Sequence, residues 1–429
     1  MTQKHDENPS RPLFPTVSLR LNFSWTLLGN VVSQLCMWGI ISCYVKIGAA
    51  DDAGYYVLAL AVVQPIFFFT DFNLRQVYVT DVNDQYEFRD YVAHRLVFCV
   101  VGILVSSLIA LCYYHDSREL ILSTFLLAVA VAGQSLGEIY HAYLQKRDRF
   151  DTIAGSMMLR GATSLLVTGI VFAITKNVPS SLAALIFTRF AVVIFYDYPQ
   201  ATALAQFRLL PKFSGKTFRT LTLLGLPLAI NMGMYSFVPQ IPRFYLKEYD
   251  GVAVAGQFGA IAALMSVGLM VINSLGVAMS QRFAQAYASG NRREYLRLTL
   301  ILSGTAFLGT CLALILIPYF GEAVLTLAYS REYAGLNDIF YWITIGTLFG
   351  LIATALAYPV TAARYFHVMP LICFVQMIVT FAGCWILVPD YGMYGATLAV
   401  GSANAFALVC FMVVWGITLR RMPKHNANC

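Results

Sequence analysis

Charge is scarce in this chain. Only 12% of its 429 residues are Asp, Glu, Lys or Arg, where a soluble protein of this size carries about a quarter. Apolar residues make up 59% and the mean hydropathy is +0.67, which excludes a soluble enzyme, a nucleic-acid-binding domain and a disordered scaffold. The nine cysteines contain no CxxC pair. Eight of them (Cys36, Cys43, Cys99, Cys112, Cys311, Cys373, Cys384, Cys410) lie in or beside apolar runs and Cys429 ends the sequence, so neither a disulfide framework nor a zinc site is expected. No GxxxxGK[ST] loop occurs, and no segment between apolar runs is long enough for a nucleotide-binding domain, so an ATP-driven pump would need a separate subunit. The first 20 residues are polar, and no cleavable signal peptide is expected before the first apolar run.

What the chain has in abundance is membrane-spanning length. Twelve runs bounded by charge or by Pro and Gly are candidate spans, each needing about 20 apolar residues: 22–45, 55–79, 95–114, 120–142, 152–175, 181–206, 220–246, 252–280, 298–319, 338–362, 368–388 and 391–419. With the N-terminus inside, 21 Lys and Arg fall on one side and five (Lys46, Arg118, Lys176, Lys247, Arg331) on the other. Basic residues favour the cytoplasmic side, so both termini are expected there. The longest outer segment is expected at 320–337, and 281–297, with Arg282, Arg292, Arg293 and Arg297 among Phe283, Tyr287 and Tyr295, reads as a surface amphipathic helix.

The sequence also repeats weakly. Ala53-Gly54 recurs as Ala255-Gly256 after 202 residues, Arg89-Asp90-Tyr91 as Arg293-Glu294-Tyr295 after 204, and Val178-Pro179 as Val388-Pro389 after 210. The near-constant offset predicts an all-α polytopic protein of twelve helices in two six-helix lobes around a central cavity. The expected divisions are a tail 1–21, an N-lobe 22–207, a basic linker 208–219, a C-lobe 220–419 and a tail 420–429.

Several segments resemble one family. SLRLNFSWTLLGN (18–30), AGYYVLALAVVQPIFFFTDFNLRQVYVTD (53–81), RDRFDTIAGSMMLRG (147–161), IPRFYL (241–246), SQRFAQAYASGN (280–291), YPVTAARYF (358–366) and VPDYGMYGAT (388–397) are similar to bacterial polysaccharide transporters. These include the O-antigen and oligosaccharide-unit flippases of the multidrug/oligosaccharidyl-lipid/polysaccharide exporter superfamily. The resemblance implies a V-shaped transporter in the bacterial inner membrane and no cofactor. It further implies transfer of an undecaprenyl-(di)phosphate-linked oligosaccharide to the periplasmic leaflet for O-antigen, capsule or exopolysaccharide. The implied partners are that lipid-linked substrate, membrane lipids, a polysaccharide polymerase and a chain-length regulator, with proton or sodium as coupling ion and no nucleic acid. A cation-coupled multidrug or small-solute antiporter of the same superfamily is the alternative; span one, 22–45, lacks the buried acid such antiporters often place there. A polytopic glycosyltransferase would need a larger outer loop, and Asp51-Asp52 sits in too short a turn for a metal site.

Moving a diphosphate and its sugars through hydrocarbon requires compensating charge, and Arg supplies it with a planar fork that stays ionised. Arg160, Arg189 and Arg243 lie within spans and Arg75 at the end of one; these four are the candidate phosphate and sugar contacts. Asp197, Glu138 and Asp71 are candidates for ion coupling, or for balancing those arginines. Asp71 and Arg75, four apart, can share a face and pair, whereas Arg189 and Asp197, eight apart, share a face but lie about 12 Å apart along it, too far to touch directly. Pro227, Pro239 and Pro242 mark span seven as a candidate hinge, since each removes a helix hydrogen bond.

Overall fold

The computed structural model describes residues 19–81, 84–205, 209–365 and 367–423, with side chains from Ser24 onward. Most of the N-terminal tail (1–18), Arg208 of the basic linker, Phe366 of the YPVTAARYF string and the tail from Lys424 to Cys429 lie outside the described residues.

Hydrocarbon offers no partner to a backbone N–H or C=O, so an apolar run of this length folds as a helix. The described regular structure is helical throughout: α1 (Leu19–Ile47), α2 (Asp52–Thr70), α3 (Leu74–Thr80), α4 (Phe88–Tyr113), α5 (Arg118–Gln145), α6 (Phe150–Thr175), α7 (Val178–Val192), α8 (Tyr198–Ala205), α9 (Gly215–Phe237), α10 (Ile241–Tyr249), α11 (Val252–Ala288), α12 (Arg292–Ala328), α13 (Asn337–Ala362) and α14 (Val368–Arg420). Among the described residues eleven helical stretches are long and apolar enough to span a membrane.

The eleventh, α14, has 53 residues and would reach about 80 Å if straight. It does not stay straight. Gly392 adopts φ +50°, a conformation that L side chains avoid, and the two limbs fold back on each other. Gln376 donates to Asn404 across them at 2.8 Å, and Gly383 lies against Ala399. The limbs match the expected runs 368–388 and 391–419.

The turns gather at two ends. At one, Lys176 donates to the Ile47 carbonyl at 3.0 Å, Lys46 to that of Leu327 at 2.6 Å, Lys247 lies over the Tyr113 ring, and Gly392 approaches Asp250. This is the end where Lys and Arg are few. At the basic end the linker is tied down by Lys212, which pairs with Glu87 at 2.6 Å and holds its carboxyl below the usual carboxylate range.

Packing follows the two halves of the sequence. α1 packs on α6, and α5 on α4 and α7; α13 packs on α11, α12 and α14. The halves meet through α2 against α9 and α11. There the repeated Ala-Gly pairs face each other: a Cβ on Gly256 would lie 2.7 Å from the Gly54 Cα, and one on Gly54 would strike the Val252 carbonyl. The repeat is therefore a contact, with small residues where two backbones touch. The Tyr91/Tyr295 repeat also falls at matching places, whereas Val388-Pro389 lies inside α14 just before the Gly392 bend. Tyr91 and Tyr295 are both fully buried in the first turns of α4 and α12, and Val178-Pro179 opens α7.

Several expectations are corrected. Residues 281–297 form no separate surface helix; they are the end of α11 and the start of α12, joined by a turn at 289–291. The segment 320–337 is no open loop, since α12 continues to Ala328 and a 3-10 turn covers Arg331–Leu336. The second span breaks after Thr70, where Phe72 and Asn73 are left-handed (φ 49° and 48°). Asn tolerates that geometry, whereas the buried Phe72 is held by packing on His94 and Phe98. Span six contains a π-helical turn, Val193–Asp197. Span seven divides at a 3-10 turn, Val238–Gln240, with Pro239 inside it and Pro242 in the first turn of α10, while Pro227 lies within α9.

Candidate functional site

The polar core lies in the first half and is organised by α5. Its segment GQSLGEIYHAYLQ places Glu138, His141 and Gln145 on one face at spacings of three and four, and Gly133 and Gly137 on another. The glycines make room for charge. A methyl group on Gly137 would lie 2.9 Å from both Arg160 Nη1 and Asp197 Oδ2, and one on Gly133 would lie 3.4 Å from Arg189 Cβ. Arg160 of α6 and Arg189 of α7 thus lie along α5 one turn apart.

Glu138 is the hub. Its carboxylate accepts from Arg75 Nη1 at 2.6 Å and from Arg160 Nη2 at 3.0 Å; Arg75 also donates to Gln145 at 2.9 Å. His141, completely buried, sets Nε2 3.3 Å from Asp197 and 2.9 Å from the Ser156 hydroxyl, with Nδ1 3.7 Å from Glu138. Asp197 ends the π turn, and Arg189, Val193 and Asp197 line up along the glycine face of α5, Arg189 at Gly133 and the other two at Gly137.

The pairing of Asp71 with Arg75 inferred from helical spacing does not form, and Arg189 and Asp197, on one face, do not touch. Asp71 pairs with Arg95 and accepts from Ser135, while Arg75, beyond the left-handed break, turns to Glu138. Asp197 pairs with His141, and Arg189 has no carboxylate within ion-pairing distance among the described residues. Arg189 is 2% exposed; its Nη2 touches the Met37 sulfur at 3.6 Å, and Nε and Nη1 have no hydrogen-bond partner. Arg160 Nη1 and Asp197 Oδ2 are also unpartnered. A buried ion is normally paired because desolvation costs several kcal/mol. Four arginines (Arg75, Arg95, Arg160, Arg189) against three carboxylates (Asp71, Glu138, Asp197) leave one cation over, and it is Arg189.

Arg243 stands apart on α10. It donates to Gln240 at 2.5 Å, and Gln240 reaches Gln64 of α2 at 3.3 Å, so this arginine belongs to the contact between halves. From α11 onward, every charged residue among those described lies within two turns of a helix end or of the Gly392 bend. The arrangement can bind an anion in the first half and offers only neutral groups in the core of α11–α14, such as Asn273, Gln376 and Asn404.

No protein-family model matches the chain. It is 24% identical over 392 residues, 91% of this chain and 97% of the relative, to the capsular polysaccharide biosynthesis protein CapF of Staphylococcus aureus. Its structure is similar to an inward-facing multidrug resistance MATE family transporter of the MOP superfamily, with a TM-score of 0.74, 11% identity and coverage of 96% of this chain and 97% of that one. It is also similar to the lipid II flippase MurJ in an inward closed conformation, with a TM-score of 0.73, 11% identity and coverage of 94% and 90%. The fold is the all-helical fold of these membrane transporters, and the resemblance to polysaccharide transporters read from the sequence stands on both findings.

Proposed function

We propose that the chain is a flippase that carries a lipid-linked oligosaccharide from the cytoplasmic to the periplasmic leaflet by alternating access between an N-lobe and a C-lobe. The observation that carries this reading is Arg189, a buried cation whose Nε and Nη1 have no hydrogen-bond partner, with the unpartnered Nη1 of Arg160 on the helix that packs against it. A phosphate group accepts from such free N–H groups, and a planar guanidinium suits it. Support also comes from the capsular polysaccharide relative and from the MurJ-like fold. With basic residues inside, the end where α1 meets α12 is periplasmic and closed: Trp38 donates to the Tyr329 hydroxyl at 3.0 Å, that hydroxyl to the Ala260 carbonyl at 2.6 Å, and Ser42 to the Ala328 carbonyl at 2.5 Å. The headgroup would enter from the cytoplasm, phosphates toward Arg160 and Arg189, while the polyprenyl tail stays in lipid. The intramembrane pairs Arg75–Glu138 and Arg95–Asp71 hold the binding helices in place. Pro239 and Pro242 supply the bend by which span seven follows the lobes.

The test is Arg189→Met. An unpaired buried cation lowers stability, so this variant should unfold at a temperature equal to or above the parent's while failing to restore surface glycan in a deletion strain. Normal glycan display, or a loss of folded protein, would remove Arg189 from the substrate site.

A further inference from the structure

We infer that His141 takes up a proton when an anion binds at Arg160 and Arg189, so that substrate phosphate and proton enter the site together. The inference rests on the flippase reading for the nature of the anion. It begins, however, from the ring itself. Both imidazole nitrogens face a carboxylate: Nε2 is 3.3 Å from Asp197 and Nδ1 is 3.7 Å from Glu138. A neutral ring that donates from Nε2 leaves the Nδ1 lone pair toward Glu138, acceptor against acceptor. In the structure Nδ1 has no hydrogen-bond partner. An imidazolium would donate to both.

The charge around the ring explains why that proton depends on the anion. The groups facing His141 are Glu138 on its own helix, Ser156 and Arg160 on α6, and Asp197 on the π turn. Arg75 reaches it through Glu138, and Arg189 packs at Gly133, about two α5 turns away. With a neutral ring, Arg75, Arg160 and Arg189 against Glu138 and Asp197 leave one positive charge; with an imidazolium they leave two. A second uncompensated charge in a buried site is costly. A diphosphate esterified at both ends brings two negative charges and cancels both. The proton comes from water and goes to Nδ1; no covalent bond changes. Linkage is reciprocal, so the anion favours the proton and the proton favours the anion. A site built this way prefers a diphosphate carrier to a monophosphate one, which one positive charge would already balance.

The experiment uses the full chain in nanodiscs with farnesyl diphosphate as probe. Calorimetric titration in two buffers of different protonation enthalpy reads protons taken up per probe bound. Wild type should take up about one and His141→Gln none, with farnesyl methyl phosphate, a diester carrying one negative charge, drawing fewer in wild type. Binding without uptake in wild type, or equal uptake in His141→Gln, overturns the inference. If the probe does not bind at all, the phosphate-site reading fails and the ring is decided separately. For this, histidine-selective NMR is run on a variant in which His5, His94, His115, His367 and His425 are replaced by Gln. A His141 signal that titrates between about pH 5 and about pH 9 keeps the proton site, and a ring locked in one state across that range sinks it.

Discussion

Removing the Glu138 carboxylate separates the roles of the buried charges. Glu138 holds Arg160, whose side chain is 6% exposed, at 3.0 Å, and Arg75, which is 32% exposed, at 2.6 Å. In Glu138→Ala both guanidinium groups lose their anion. Arg75 can turn toward water and retains Gln145, so its loss is worth no more than about 1 kcal/mol. Arg160 cannot, and stranding a buried charge costs about 3 kcal/mol or more. The sum, about 3–4 kcal/mol, should lower the unfolding temperature in detergent by several degrees, read by intrinsic fluorescence. Glu138→Gln keeps one acceptor oxygen and should lose less. Glu138→Gln with Arg160→Gln should recover most of the loss, because the stranded cation is gone. An unfolding temperature for Glu138→Ala equal to wild type would refute the view that this carboxylate neutralises the cluster.

Two further outcomes concern motion. Gly256→Val should push apart the glycine seam with Gly54, making a Ser42→Cys thiol reactive to an impermeant maleimide added outside; an unreactive thiol would mean the seam does not control that end. Pro239→Ala with Pro242→Ala should straighten span seven and reduce glycan export severalfold at normal protein abundance, and full export would leave these prolines as static kinks.

The spans were legible in the sequence because hydrophobic length alone dictates them, and even the α14 hairpin was marked by Val388-Pro389 and Gly392. Their ends were less so. Helices such as α11 and α12 run 37 residues, and no hydropathy signal says where a helix leaves the lipid but stays helical. The ionisable residues inside the spans were legible individually, since charge in an apolar run stands out. Their partners were not. Helical spacing paired Asp71 with Arg75, but the left-handed pair Phe72 and Asn73 re-aimed them; it also aligned Arg189 with Asp197, which do share the α5 face but find other surroundings. His141, Arg95, Ser135 and Gln145 were missed as site residues. The spacing Glu138, His141, Gln145 on one helix face held the signal for two of them, and it becomes informative once α6 and the π turn are known to face it.

The distribution of charge bears on how such a protein can move. Among the described residues no ion pair joins a helix of the first half to one of α9–α14; the contacts across that end include glycine on glycine, hydrogen bonds from Trp38, Ser42, Lys46 and Tyr113 to neutral acceptors, and Lys247 over the Tyr113 ring. Breaking a buried ion pair costs about 3–5 kcal/mol, a barrier that would be met in every cycle if the arginines of one half faced the acids of the other. Here the charged network closes within the first half and can travel as a unit with whatever anion it holds. The seam between halves then parts without breaking an ion pair, at the cost of hydrogen bonds worth about 1 kcal/mol net each, more for the Lys46 ammonium, and of apolar contact along α2. On the proposed function, binding and gating rest on different residues, so Arg189→Met should abolish export without opening the seam, and Gly256→Val should open the seam with the anion site intact.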